Sequence, residues 1–231
     1  MTNDHDGQQH GEHHEHGRWH RHDQGIKAML RYLRWAPRLW RSDINNAVIE
    51  LANPQPNEVV IDIGAGLGAG AHRAAKVGAS VVAVEPTTYM RRMLRVRGWI
   101  QRPGSRFDVV DGSAERLPVV DEGADVVCAV NTMHHWVDPE VGTSEIARVI
   151  RPGGRVLLVD EDFEDPSHPE HDASASRHSS DEEHHHGFTM VDATEMGDWL
   201  TKAGLVDVVA ERRSLAGRPV IMVRAIGAPI H

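Results

Sequence analysis

Val59-Val-Ile-Asp-Ile-Gly-Ala-Gly-Leu-Gly-Ala-Gly70 is the stretch that decides the fold. It reads as a buried strand, apolar except for Asp62, that breaks into a turn with glycine at positions 64, 66 and 68. Glycine there lets the backbone turn sharply and lets a ligand approach without meeting a Cβ. A second apolar run, Ser80-Val-Val-Ala-Val84, then closes on Glu85. Strand, glycine turn, helix, strand and terminal acid describe a nucleotide-binding βαβ unit, in which the acid can accept both hydroxyls of a ribose.

Outward from that unit, strands and helices alternate. Strands are predicted over Val59–Ile63, Ser80–Val84, Arg106–Val110, Ala124–Asn131, Arg155–Asp160, Val206–Glu211 and Val220–Ala225. Helices fall between them, over Leu67–Val77, Thr87–Gly98, Pro139–Ile150 and Val191–Ala203, with Thr189-x-x-Asp192 in the form of a capping box before the last. Upstream, Ser42 can cap a helix through about Leu51. Such alternation implies an α/β protein with a parallel sheet covered by helices on both faces. The last two strands are joined by Ser-Leu-Ala-Gly-Arg-Pro, too short for a crossover helix, so they should form an antiparallel hairpin. The expected architecture is Rossmann-like and seven-stranded, mostly parallel, with that hairpin at its C-terminal end.

Composition sets outer limits. A chain of 231 residues with 40% apolar content suits one α/β domain and is short for two. A formal charge of −9 argues against nucleic acid as a partner. Cys128 is the single cysteine, which excludes a disulfide framework and fits a reducing cytoplasm. The polar start lacks the apolar core of a signal peptide, and no apolar run is long enough to span a bilayer. Histidine is concentrated at two places: seven lie in residues 1–24 and six in 164–187. Residues 1–24 read as a disordered His-rich tail and 25–231 as the folded domain, with 25–57 an N-terminal helical part and 161–187 an acidic, His-rich insertion.

At this point the residues resemble a family, the class I S-adenosylmethionine (SAM)-dependent methyltransferases, in the subgroup of ubiquinone and menaquinone biosynthesis. Four motifs carry the likeness: Asp62-Ile-Gly64-Ala-Gly66-Leu-Gly68; Val84-Glu85-Pro86; Gly112-Ser113-Ala114-Glu115-Arg116-Leu117-Pro118; and Asn131 through His134-His135-Trp136 to Arg151-Pro152-Gly153-Gly154. It spans about Asp43 to Ile226 as a fold and is sharp from Val59 to Asp160. The resemblance implies SAM as cofactor and a small molecule as methyl acceptor. It places the Gly64–Gly68 turn against the methionine part of SAM, Asp62 on its amino group, Glu85 on the ribose, Ser113 and Ala114 at the adenine edge, and Asn131 beside the cofactor. Many relatives have Asp in place of Ser113, so a neutral acceptor here replaces a charged one. The glycine turn alone would also satisfy a looser NAD(P) fingerprint; Asp62, the Gly-Ser-Ala-Glu-x-Leu-Pro segment and the hairpin favour SAM.

Methyl transfer from a sulfonium needs alignment first and a base only where the acceptor must lose a proton. His134 and His135 follow the fourth strand at the sheet edge where such folds bind ligands, and His135, beside Trp136, is the preferred base. Tyr32 and Trp35, among Arg31, Arg34, Arg38 and Arg41, fit a lid over the acceptor in preference to a membrane-surface segment. His168, His171, His184, His185 and His186 offer ligands for a divalent transition metal, though solvated loop histidines explain them as well. The rival reading is therefore a metal-binding protein on a SAM fold without turnover. A monomer or weak dimer is expected.

Overall fold

The computed structural model describes residues 42–101, 104–169, 171 and 192–229. Along the chain run α1 (Asp43–Ala52), β1 (Val59–Ile63), α2 (Ala69–Lys76), β2 (Ser80–Val84), α3 (Thr88–Gln101), β3 (Phe107–Val110) and β4 (Ala124–Val130). A short 3₁₀ turn (Met133–His135) leads to α4 (Pro139–Val149), β5 (Ile150–Glu161), α5 (Ala193–Lys202), β6 (Val206–Leu215) and β7 (Arg218–Ile226). The seven strands form one sheet in the order β3-β2-β1-β4-β5-β7-β6. β1 to β5 pair in parallel, and β7 runs antiparallel to both β5 and β6. The Rossmann-like α/β expectation and the terminal hairpin are both met.

Alternate residues of a strand serve opposite faces of the sheet, and here both faces are covered. Val60, Val126, Cys128, Leu157 and Val159 pack with Ile44 and Val48 of α1 and Ala71 and Ala75 of α2. Ile61, Ile63, Val127, Ala129 and Leu158 pack on the other side with Ile146 and Val149 of α4 and Met196 and Leu200 of α5. Double-sided burial is why these strands read as unbroken apolar runs rather than alternating ones. Each fully buried Val, Leu or Ile side chain contributes about 1.5–3 kcal/mol of transfer free energy. Helix ends follow local chemistry. The Ser42 hydroxyl accepts from Asn45 N–H at 3.3 Å, and Asn53 closes α1 in the left-handed region. At α5 the cap is Asp192 itself, accepting from the Thr194 and Glu195 N–H groups, so the capping box expected from Thr189 is displaced by three residues.

Two strand boundaries differ from expectation. β5 starts at Ile150, directly off α4, and bulges at Pro152-Gly153-Gly154, where Gly153 takes φ 72° and the register against β4 jumps from Ala124↔Ile150 to Val126↔Arg155; Gly153 N–H donates to Gly227 O there. At the hairpin, β6 runs to Leu215 and β7 starts at Arg218, leaving only Ala216-Gly217 as the turn. Both residues have positive φ, 51° and 76°, the form of a type I′ turn that matches strand twist. Alanine at the first position carries left-handed strain of about 1–2 kcal/mol, which asparagine relieves. Ala216→Asn is therefore expected to stabilise the protein by about 1 kcal/mol, read as a rise of roughly 2–4 °C in thermal melting.

Candidate functional site

The carboxyl ends of β1, β2, β4 and β5 converge on one edge of the sheet. At β1 the chain enters the glycine turn with positive φ at Gly64, Gly66 and Gly68. A Cβ at Gly64 would fall 2.2 Å from Thr132 Oγ1, and one at Gly68 would fall 2.2 Å from Leu94 Cδ1. Those two glycines are demanded by the protein's own packing. Gly66 differs: its nearest neighbour would be Gly64 O at 3.9 Å, so that side of the turn is open.

Glu85, at the end of β2, is buried and faces this turn. Its Oε2 accepts from Gly66 N–H at 2.9 Å and its Oε1 from Thr87 N–H at 2.8 Å. Arg91 braces the same corner, donating to Glu85 O and pairing with Asp111. Asp62 lies under the turn, 3% exposed, with Oδ2 accepting from Ala71 N–H at 2.8 Å at the start of α2. Burial pushes its carboxyl up to about 7; the Glu85 charge adds to that, and the Ala71 N–H opposes it.

The second half of the edge is built by β4 and β5. Asn131 leaves β4 in the left-handed region, φ 53°. Its amide is clamped by Glu161: Nδ2 donates to Glu161 Oε1 at 2.6 Å and Oδ1 accepts from Glu161 N–H at 2.8 Å. Asp160, next to it on β5, turns to the opposite face. Its buried carboxylate accepts from the N–H groups of Thr132, Met133 and His134 at 2.9, 3.3 and 3.1 Å, and Oδ2 holds His134 Nδ1 at 2.8 Å. His135 is exposed, its ring 4.0 Å from that of His134. Asp160 thus orients His134, whereas the preferred base from sequence was His135. Asp160 and Glu161 are the site residues that sequence reading missed; their only local signal was a position at the end of a strand.

Ser113 and Ala114 sit in a tight turn after β3, where Ser113 bridges to Arg116. Ala114 is buried against the Trp136 side of α4, close to Gly142, so its side chain serves packing. Glu115 of the same motif accepts from the N–H groups of Val137 and Asp138, which ties this turn to the segment after β4.

Of the histidines proposed for metal, His168 and His171 lie among the described residues, and both have protein partners. His168 is buried with Nε2 on Glu161 Oε2 at 3.0 Å, an oxygen shared with Arg218 at 2.6 Å. Burial works to raise the Glu161 carboxyl, but Arg218, His168 and Asn131 together hold it below its ordinary range. His171 Nδ1 meets Phe163 O at 3.1 Å. Among the described residues no group of three or more His, Cys, Asp or Glu is placed to hold a metal ion. Tyr32, Trp35, His184, His185, His186, the tail 1–24 and most of the 25–57 lid lie outside the described residues.

Comparison with known proteins agrees with this geometry. The family model described as a methyltransferase domain matches residues 61–158. An uncharacterised methyltransferase of Mycobacterium tuberculosis is 39% identical over 100 residues, covering 43% of this chain and 38% of that protein. A demethylmenaquinone methyltransferase of Streptomyces griseus is 34% identical over 123 residues, covering 53% of this chain and 49% of the other. The chain thus spans about half, or less, of the length of these curated relatives. Among solved structures, a SAM-dependent methyltransferase from Aquifex aeolicus superposes with a TM-score of 0.64 at 19% identity, over 88% of this chain and 99% of that one. Seven strands in this order, a glycine turn facing a strand-terminal acid, and a methyltransferase-domain match over residues 61–158 agree: the chain has the fold of the class I SAM-dependent methyltransferases and is similar to them from β1 into β5.

Proposed function

We propose that this chain transfers the methyl group of SAM to a small-molecule acceptor held beside the ends of β4 and β5. The observation that carries the reading is Glu85, a buried carboxylate fixed by two backbone N–H groups beside the glycine whose Cβ side is open. A carboxylate offers about four acceptor sites. Two are used by Gly66 and Thr87, so capacity is left for the two hydroxyls of a ribose. Asp62, under the same turn, suits the cofactor's amino group, since a cation there draws off the proton that burial retains. Asn131, locked by Glu161, would flank the cofactor at the end of β4.

The cofactor supplies an electrophilic methyl on sulfur; the protein aligns and dries the site. The Nδ1 bond to Asp160 fixes His134 in the tautomer that carries its basic lone pair on Nε2. With SAM bound, that methyl would pass to an electron pair of the acceptor while the carbon–sulfur pair returned to sulfur. An acceptor proton passes to His134 Nε2. Similarity to a demethylmenaquinone methyltransferase makes a reduced quinone ring the first acceptor to try, because deprotonating its hydroxyl makes the ring carbon nucleophilic. Calorimetric titration with S-adenosylhomocysteine (SAH) tests the cofactor half directly. Saturable one-to-one binding is expected; no binding by the unmutated protein overturns the reading.

The Asp62 shift adds a pH signature. The amino group of SAH pairs with ionised Asp62, so below about pH 7 binding must expel a proton. Affinity should fall about tenfold per pH unit below that point, with proton release visible as a buffer-dependent heat, and Asp62→Asn should flatten the profile. Stability of the unliganded protein moves oppositely. Because the folded carboxyl titrates near 7 and its ordinary value is 3.8, its contribution is full below 3.8 and is lost as pH rises toward 7.

A further inference from the structure

We infer that the outward face of α3 docks on an anionic lipid surface. The helix Thr88–Gln101 contains four arginines and no acid in a chain of net charge −9, so the charge is locally reversed. Two of the arginines point inward: Arg91 to Glu85 O and Asp111, and Arg97 to Leu67 O. The other two, Arg92 and Arg95, share the exposed face with Val96, Trp99 and Ile100, at the i, i+3, i+4, i+7, i+8 spacing of a single stripe. Trp99 is 71% exposed, Ile100 63% and Val96 56%. Such side chains are ordinarily buried; exposed singly they need no explanation, but three side by side do.

The surroundings extend the pattern. A cleft of about 440 Å³ runs between α3 and the edge strand β3, lined by Arg95, Gly98, Trp99, Ser105, Phe107 and Asp108. Arg95 reaches across it to Val109 O, and Asp108 is paired with exposed Arg106 at 2.6 Å, so the nearby acid is neutralised. Cations flanking a tryptophan and branched apolar side chains are what an interfacial helix presents to headgroups and acyl chains. Charge and size decide the occupant. A second copy packed about a two-fold axis would set Arg92 and Arg95 against their own equivalents. A standard protein interface takes about 20–30 residues a side, far more than this stripe offers. A lipid surface needs only shallow insertion of the apolar side chains and attraction to the arginines. No described helix is long and apolar enough to cross a membrane, so contact would be peripheral. The sequence raised membrane contact for the basic-aromatic segment Arg31–Arg41, which lies outside the described residues; α3 is a separate face.

The inference is independent of the catalytic reading and is tested by sedimentation with vesicles. The full chain should pellet with vesicles of equal parts phosphatidylglycerol and phosphatidylcholine, remain in solution with phosphatidylcholine alone, and be released by salt. Trp99→Gln/Ile100→Gln keeps good helix formers at exposed positions and should lower vesicle affinity at least about tenfold with an unchanged melting temperature. Trp35→Ser/Trp40→Ser should bind as the unmutated chain does. The inference is overturned if the unmutated chain ignores anionic vesicles, or if the α3 variant binds them equally well. It is also overturned if α3 instead supports a concentration-dependent dimer that the α3 variant loses.

Discussion

Gly66→Arg is expected to abolish SAH binding in a protein that still folds. The backbone at Gly66 has φ 53°, so any side chain costs about 1–2 kcal/mol of conformational strain, a tolerable loss for a domain of this size. Space is not limiting, because a Cβ there meets nothing closer than 3.9 Å. The harm is at the ligand. Gly66 N–H is bonded to Glu85, so an arginine on that residue puts a guanidinium within reach of the carboxylate that should receive the ribose. It fills the site and occupies its acceptor oxygens together. Gly64→Ala is the contrasting case. Its Cβ would overlap Thr132 Oγ1 at 2.2 Å, so the turn after β4 must move, and loss of soluble protein is expected instead of selective loss of binding. Calorimetry and thermal melting on both variants separate the two outcomes. Retained SAH binding by Gly66→Arg would show that the open side of the turn is not the cofactor's side.

What the sequence made legible follows from which interactions are local. The strands were readable because double-sided burial leaves apolar runs, and the glycine turn because left-handed backbone demands glycine. The hairpin was readable as a hairpin, but its turn was overcounted, since Ala216 gives no hint that it occupies a left-handed position. The edge that carries the candidate site was harder. Asp160 and Glu161 act on residues 26 to 30 positions earlier, and neighbouring side chains on a strand point to opposite faces, so one holds the His134 turn and the other Asn131. Choosing between His134 and His135 needed the direction of a single 3₁₀ turn. The pairing of His168 with Glu161, and of Glu161 with Arg218, was equally illegible, because these groups come from β5 and the far strand of the hairpin.

Asp160 is where the second large effect is expected. Asp160→Ala removes one buried carboxylate that satisfies three backbone N–H groups and an imidazole. Each buried donor left without a partner costs about 1–3 kcal/mol. Even with partial relaxation, a loss of about 3–5 kcal/mol is expected, enough to take much of the stability of an ordinary domain. Asp160→Asn is the informative companion. Its amide oxygen can still accept from Thr132 and Met133 N–H, so the variant should lose less stability than Asp160→Ala, but its NH₂ group replaces the oxygen that serves both His134 N–H and His134 Nδ1. The ring must then accept at Nδ1 and carry its proton on Nε2, the opposite tautomer. Nitrogen NMR of the imidazole should record that exchange, with SAH affinity nearly unchanged because Asp62, Glu85 and the glycine turn are untouched. Turnover of an acceptor that must lose a proton should fall about 10²–10⁴-fold. Unchanged turnover with the tautomer reversed would mean that His134 positions the acceptor without taking its proton.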